Sequence, residues 1–262
     1  MLPLSVVIIT FNEASNLPRC LASLHGLGAT DVLVLDSGST DDTREIAAAW
    51  GARVETQPFL GYVAQKNRAT ELARHDHVLQ LDADEELTPA LRESIVQTLH
   101  EWRAPSYALP RLTNYCGQWV RHGGWFPDWQ TRLYDRRHGA WQGELLHERY
   151  INHNGSAPVR FSAVGKFQAL LNHYSYHSLS EHWLQLDRFT SLDAEQMQRR
   201  GRRFSWAALL LKPFWRFFNG YFLKMGFLDG FAGLCIAVFS AVGVFLKVAK
   251  LRALHREAVG RR

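Results

Sequence analysis

The stretch Leu4-Ser5-Val6-Val7-Ile8-Ile9-Thr10, running into the polar turn Thr10-Phe11-Asn12-Glu13, sets the reading of the whole chain. Its β-branched and aliphatic run matches a strand buried on both faces. Leu17, Cys20, Leu21 and Leu24 then fall at helical spacing. Strand, loop and helix follow one another, and the unit repeats. Asp31 to Leu35 reads as a second strand, Asp36-Ser37-Gly38-Ser39-Thr40-Asp41 as a polar loop, and Thr43 to Trp50 as a helix stopped by Gly51. Arg53 to Thr56 continues as a strand, about Tyr62 to Ala73 as a helix, and Val78 to Leu81 as a fourth strand ending at Asp82-Ala83-Asp84. Such alternation predicts an α/β fold with parallel strands and crossover helices. Every polar loop follows the carboxyl end of a strand, which is where open parallel sheets bind ligands.

Beyond this region the pattern changes. Thr88-Pro89 opens a helix carrying Leu91, Ile95, Val96 and Leu99, and mixed β-like runs lie around Tyr107 to Leu109 and Thr131 to Tyr134. From Ser178 to about Arg200 a helical pattern places Leu179, Trp183, Leu186, Phe189 and Leu192 on one face. The expected organisation is a catalytic domain over 1–177, with a donor half over about 1–100 and an acceptor half over about 101–177, followed by a helical region over 178–262.

The chain has 262 residues, enough for one substantial α/β domain and an appendage. A hydrophobic share of 47% with 21% charged residues, and no low-complexity tract, excludes global disorder. Cys20, Cys116 and Cys235 have no CxxC spacing and an odd count, which argues against a disulfide framework or a cysteine zinc site and for a reducing compartment. The N-terminus enters its first apolar run without a basic leader, so no secretion signal is expected there. The formal charge is +5, and its cations concentrate in the last quarter, from Arg199, Arg200, Arg202 and Arg203 to Arg261 and Arg262.

Two loops carry the chemistry. In an extended backbone residues i and i+2 point the same way, so Asp82 and Asp84 are expected to face one cation at the sheet rim. Hard oxygen ligands suit Mg²⁺ or Mn²⁺, which complete their coordination with substrate phosphate and water. The plain alternative is a solvated surface turn. Asp36 ends another apolar strand, where a carboxylate is suited to recognise ribose or base. Gly38 permits an unusual backbone angle there, and the hydroxyls of Ser37, Ser39 and Thr40 suit a sugar nucleotide or a helix cap. His173 and His177 stand four apart, but Asn172-His173-Tyr174-Ser175-Tyr176-His177 reads as strand or loop rather than helix.

Three segments in this order, Ser5-Val6-Val7-Ile8-Ile9-Thr10-Phe11-Asn12-Glu13, Val34-Leu35-Asp36-Ser37-Gly38-Ser39-Thr40-Asp41-Asp42-Thr43 and Asp82-Ala83-Asp84, resemble the family 2 glycosyltransferases of GT-A fold. The resemblance implies a Rossmann-like nucleotide-sugar fold and an inverting transfer from a UDP-sugar or similar donor, assisted by a divalent cation. It implies that Thr10, Asn12 and Glu13 border the nucleotide, that Asp36 with Ser37 and Gly38 meets base or ribose, and that Asp82, Ala83 and Asp84 surround metal and diphosphate. Lys66 and Asn67 resemble helix residues facing the donor, an exposed helix surface being the alternative. His173 takes the place of a late histidine that joins the metal ligands, against a purely structural histidine.

Further on, Gly123-Gly124-Trp125-Phe126-Pro127-Asp128-Trp129-Gln130-Thr131-Arg132-Leu133-Tyr134 and Leu146-His147-Glu148 resemble a narrower group, the bacterial lipopolysaccharide-core glucosyltransferases. That likeness implies transfer of a hexose, glucose from UDP-glucose, to a lipid-linked saccharide such as the inner core. Asp128 is the implied base and Glu148 the second candidate. Arg132 either pairs with phosphate or holds a carboxylate. Transfer to polyprenyl phosphate is the alternative within the class, and a catalytically silent sugar-nucleotide-binding scaffold the alternative outside it.

Phe204, Trp206, Leu209, Leu210, Phe214, Trp215, Phe218 and Phe222 interleave with Lys212, Arg216 and Lys224, and Phe231 to Leu246 is almost wholly apolar. Stacking aromatics with arginines also suit nucleic acid, but this apolar density fits helices meeting anionic headgroups, and no nucleic-acid partner is expected. The apolar run is somewhat short of the ~20 residues that cross a bilayer, although Phe227 and Leu228 extend it past Asp229, so both a spanning and an interfacial tail fit the sequence. The expected location is the cytoplasmic face of a bacterial inner membrane, with the tail peripheral or anchoring.

Overall fold

The structure is a computed structural model, and it describes residues 1–143, 148–161 and 169–260, with the main chain alone at 257–260. Leu146 and His147 therefore lie outside the described residues, as do Arg261 and Arg262. The chain divides into two compact units, Met1–Leu112 with Asp128–Tyr174, and Thr113–Pro127 with Ser175–Arg262.

The first unit opens as the sequence predicts: β1 (Leu4–Thr10), α1 (Leu17–Ala22), β2 (Asp31–Asp36), α2 (Thr43–Trp50), β3 (Arg53–Thr56), α3 (Tyr62–Leu72) and β4 (His77–Asp82). Gly51 ends α2 at φ +97°, a left-handed cap that favours glycine. Then come β5 (Glu85–Leu87), α4 (Pro89–His100), β6 (Ser106–Tyr115), β7 (Gln118–Val120), β8 (Asp128–Asp135), β9 (Gly139–Gln142), β10 (Arg149–Asn152), β11 (Val159–Arg160) and β12 (Leu171–Tyr176). Thr88 caps α4, its hydroxyl accepting from the Leu91 amide at 3.3 Å, with Pro89 in the first turn.

The sheet runs β3-β2-β1-β4-β8-β6-β12-β5. Its first four strands are parallel, while β8 meets β4 and β6 antiparallel and β12 meets β5 antiparallel. The sheet is thus mixed: the α/β, GT-A type of architecture expected from the sequence, with an antiparallel second half. Antiparallel β9 and β10 form a separate pair. Leu4, Val6 and Ile8 of β1 face a core with Leu17, Leu21, Leu79 and Leu81, while Val7 packs on the other face with Leu33, Ala69 and Tyr134. Both faces of β1 are covered, which explains its unbroken apolar run.

Register sets the rim. Thr10 lies opposite Asp36 of β2, and Ile9 opposite Asp82 of β4, so the three loops after β1, β2 and β4 leave the sheet side by side.

The second unit holds β7 and the helices α5 (Leu179–Arg199), α6 (Trp206–Phe218) and α7 (Gly230–Gly260). Thr113–Pro127, kept with the catalytic half by the sequence reading, groups with these helices. Its anchor is Asp229, 5% exposed, whose carboxylate accepts from the amides of Arg121 and His122 and from the His122 ring at 2.8 Å. The buried face of α5 differs from the expected one. His182, Thr190 and Ala194 are buried, whereas Leu179 and Trp183 are exposed. The reason is α7, which offers α5 the small Gly243, where an added Cβ would lie 2.8 Å from Leu186.

Candidate functional site

The loops after β1 and β2 are bonded to one another rather than left to solvent. Asp36 is fully buried, and its two oxygens accept from the amides of Gly38 and Ser39, each at 2.9 Å, and from the hydroxyls of Thr10 and Ser39. Asn12 takes φ +55°, a conformation asparagine tolerates, and its side-chain oxygen accepts from the Thr40 amide at 2.8 Å while its own amide donates to Ser39. Thr43 and Asp41 receive the amides of Glu13 and Ala14. Ser37 accepts from Gln65 of α3 at 3.1 Å, and Gly38, at φ +91°, has open space where a side chain would stand. Thr10, Asn12, Glu13, Asp36, Ser37 and Gly38 therefore lie together, as the sequence reading expects.

Glu13 is largely buried beside three other carboxylates. Burial pushes its carboxyl up to about 7, with Asp84, Asp82 and Asp41 adding to the rise against a hydrogen bond from Asn16. Negative charge is concentrated on this rim, and it calls for a cationic or phosphate-bridging partner.

The second half of the site is a charged cluster at the end of β4. Asp82 bonds through Oδ2 to Arg132, which also reaches Glu85 at 2.7 Å. Glu85, with no exposure, accepts from the Asp82 amide and lies 3.2 Å from Arg111. Arg111 in turn grips Asp128 through Nε at 2.9 Å and Nη2 at 2.6 Å, and Gln130 donates to the other Asp128 oxygen. Lys66, only 3% exposed, sits 3.1 Å from Glu148 and 3.6 Å from Asp82, with Trp141 under its ammonium at 4.6 Å. Burial alone raises the Asp82 carboxyl, yet Arg132, Lys66 and Arg111 hold it far below the usual carboxylate range. The same carboxylates raise the Arg132 guanidinium against its own burial.

Three expectations change. First, β4 ends at Asp82, and Ala83 and Asp84 form a turn, so the two carboxylates do not share a strand face. Asp82 meets Arg132, whereas Asp84 meets His173 Nε2 at 3.1 Å. Second, among the described residues no three acidic, histidine or cysteine side chains gather as a ready cation cage. The pair Asp84 and His173 still fits a divalent ion. One side is an oxygen donor, the other an imidazole, and Asp82 Oδ1 beside them is buried with no hydrogen-bond partner. Third, Asn67 spends its side-chain amide on the Trp141 main chain, donating to the carbonyl and accepting from the N–H, both at 2.9 Å. Lys66, by contrast, is buried, and the exposed-surface alternative fails for it.

Sequence reasoning missed Glu85 and Arg111. A signal for both exists: Glu85 follows Asp82-Ala83-Asp84 directly, and Arg111 interrupts the apolar strand Ser106–Tyr115. A charge inside a buried run requires a counter-charge.

The chain is similar to known proteins along most of its length. It is 30% identical over 258 residues to a protein of Rickettsia prowazekii described as an uncharacterized glycosyltransferase, covering 97% of this chain and 88% of that one. It is 28% identical to the lipopolysaccharide core biosynthesis glycosyltransferase LpsC of Rhizobium meliloti, covering 97% and 93%. Among solved structures, the glucosyl-3-phosphoglycerate synthase of Mycobacterium tuberculosis, in complex with Mn²⁺, UDP and glucosyl-3-phosphoglycerate, is 31% identical over 37% of this chain and 39% of that chain, with a TM-score of 0.33. The family model described as glycosyl transferase family 2 matches residues 5–167, most of the first unit and more than half of the chain, and the protein belongs to that family.

Proposed function

We propose that the protein transfers a hexose, glucose from UDP-glucose, with inversion, onto a lipid-linked saccharide of the lipopolysaccharide inner core at the cytoplasmic face of the inner membrane. The observation that carries the reading is the meeting, on one sheet rim, of the interlocked loops of Asn12 and Asp36 with the charged turn of Asp82 and Asp84. Similarity to LpsC across nearly the whole chain supports the acceptor class.

Asp84 and His173 would hold a divalent cation, which would supply positive charge for the departing diphosphate. Lys66, desolvated over Trp141, adds a fixed positive charge near the same oxygens. Arg132 is a positioning residue: at 1% exposure it fixes Asp82 and Glu85 rather than touching substrate. Inversion requires a base on the acceptor side. Asp128 takes this role, oriented by Arg111 and Gln130, with Glu148 beside Lys66 as the second candidate.

UDP release from a panel of UDP-sugars, with and without Mn²⁺ or Mg²⁺ and with truncated core or polyprenyl phosphate as acceptor, tests the whole reading. Cation-dependent release stimulated by truncated core is the expected result. Release with polyprenyl phosphate alone moves the acceptor, and donor binding without any release overturns the enzyme assignment. Asp128→Asn is expected to lower kcat by about 10²–10⁴-fold, while Glu148→Gln mainly raises the donor KM. The reverse pattern assigns the base to Glu148. Asp84→Asn and His173→Ala raise the cation concentration needed for half-maximal rate, and an unchanged requirement removes them from the metal site.

A further inference from the structure

By length and composition, one helix of the second unit, within Gly226–Arg256, is able to cross a membrane, with a mean hydropathy of 2.2. Its packing points elsewhere. The second half of the apolar run of α7 is sheathed by α5. The His182 ring lies 4.4 Å from that of Phe239, Leu186 packs on Gly243, Asp193 pairs with Lys247 at 3.6 Å, and Lys250 is held by Asp187, Thr190 and Ser191 at 2.6–2.9 Å. The exposed surface of α5 bears Glu181, next to His182 and so level with Phe239 in the middle of the apolar run, and Asp187 and Arg188 toward the end of the run, by Lys250. A bilayer crossing by α7 drags these charges into hydrocarbon, where charged side chains are strongly disfavoured. In the first turns of α7, Ala232 and Ile236 are buried against Tyr115 and Val120, so that only the face of Phe231, Leu234 and Val238 is exposed.

What faces outward around that segment is apolar. On α6, Leu210, Phe214 and Phe218 follow one another at every fourth position, with Leu211 and Trp215 beside them, and Phe214 is 71% exposed. Phe222 and Phe227 in the following turns, and Phe231 at 70% exposure on α7, extend the same kind of surface. A soluble helix points such a stripe inward. Between Arg199 and Leu228 there are seven cations and no acidic residue, and Lys212, Arg216 and Lys224 are exposed among the aromatics. Cations at the margin of an exposed apolar stripe match anionic headgroups over acyl chains.

We infer that the second unit is a one-leaflet anchor: α6, the turns after it and the first turns of α7 enter the facing leaflet of an anionic bilayer, and α7 does not cross. The inference deepens the membrane attachment proposed above and is independent of the sugar chemistry.

Topology decides it. In inverted membrane vesicles from cells making the full chain with an epitope at each end, added protease removes both epitopes when α7 stays on one side. Protection of the C-terminal epitope until detergent is added, with loss of the N-terminal one, overturns the inference, as does absence of the chain from the membrane fraction. Independently, the purified chain is expected to bind vesicles of phosphatidylglycerol and phosphatidylethanolamine at least tenfold more tightly than phosphatidylcholine vesicles. Joint Phe214→Asp and Phe231→Asp lowers that binding at least tenfold, and unchanged binding overturns the assigned surface. Both residues are exposed, so UDP-sugar binding by the variant, measured in parallel, stays at the parent value and separates a failed anchor from a failed enzyme.

Discussion

Arg132 shows how much one buried charge settles. It is 1% exposed between Asp82 and Glu85, and Glu85, with no exposure, has Arg111 at 3.2 Å as its other cation. Removing one member of such a group leaves the others uncompensated, so Arg132→Met is expected to destabilise the first unit by about 3–5 kcal/mol, read as a lower urea midpoint. Adding Glu85→Gln recovers a large part of the loss if the charge, rather than the volume, is the cause. His182 is a second informative residue. Burial pulls its imidazole down to about 4 from an ordinary value of 6.5, and its Nδ1 is 2.8 Å from the Tyr115 hydroxyl. Between these values the folded chain binds fewer protons than the unfolded one, so the stability it contributes is complete above pH 6.5 and falls toward pH 4. The loss between pH 7 and pH 5 is about 2 kcal/mol, and His182→Gln is expected to remove that part of the acid sensitivity in urea titrations at the two pH values. The pairing of Arg132 with a carboxylate is one of the readings the sequence allows, whereas the burial of His182 is not legible there. A histidine on an amphipathic helix carries no mark of its burial, which depends on Tyr115 and Phe239, both far along the chain.

At the scale of elements, the chain is readable where one residue run determines one environment. Strands β1, β2 and β4 are apolar on both faces, so composition alone identifies them, and their trailing polar loops follow. The turn at Ala83 and Asp84 was not legible, because an Asp-x-Asp pair looks the same in a strand and in a turn, and the pairing of β5 with β12 decides between them. Apolar periodicity on α5 marks a stripe, not what covers it: Leu186 of the stripe meets Gly243 of α7, while Leu179 and Trp183 are exposed. Glycine in the tail has a sharper meaning. An added Cβ at Gly233 would lie 1.8 Å from the Gly226 carbonyl oxygen, and one at Gly226 would lie 2.7 Å from that of Gly220. Two close main-chain passages join the turns after α6 to the start of α7. Gly233→Ala therefore forces the backbone apart, at a cost of about 2 kcal/mol or more, seen as a drop in Tm of several degrees. A Tm within one degree of the parent contradicts the packing described.

For the whole molecule, the outward aromatics of α6 and α7 act before any sugar is transferred. Phe214, Trp215, Phe218, Phe222 and Phe231 form an apolar surface that water does not favour and that the described residues leave uncovered. In lipid-free buffer the same surface becomes a contact between copies, so light scattering by the purified chain is expected to rise with concentration and to collapse to small particles when anionic lipid or mild detergent is supplied. Scattering that stays monomeric without lipid contradicts this. On the anchor inferred above, colloidal state follows lipid supply, and a copy made in excess of free membrane area is expected to aggregate.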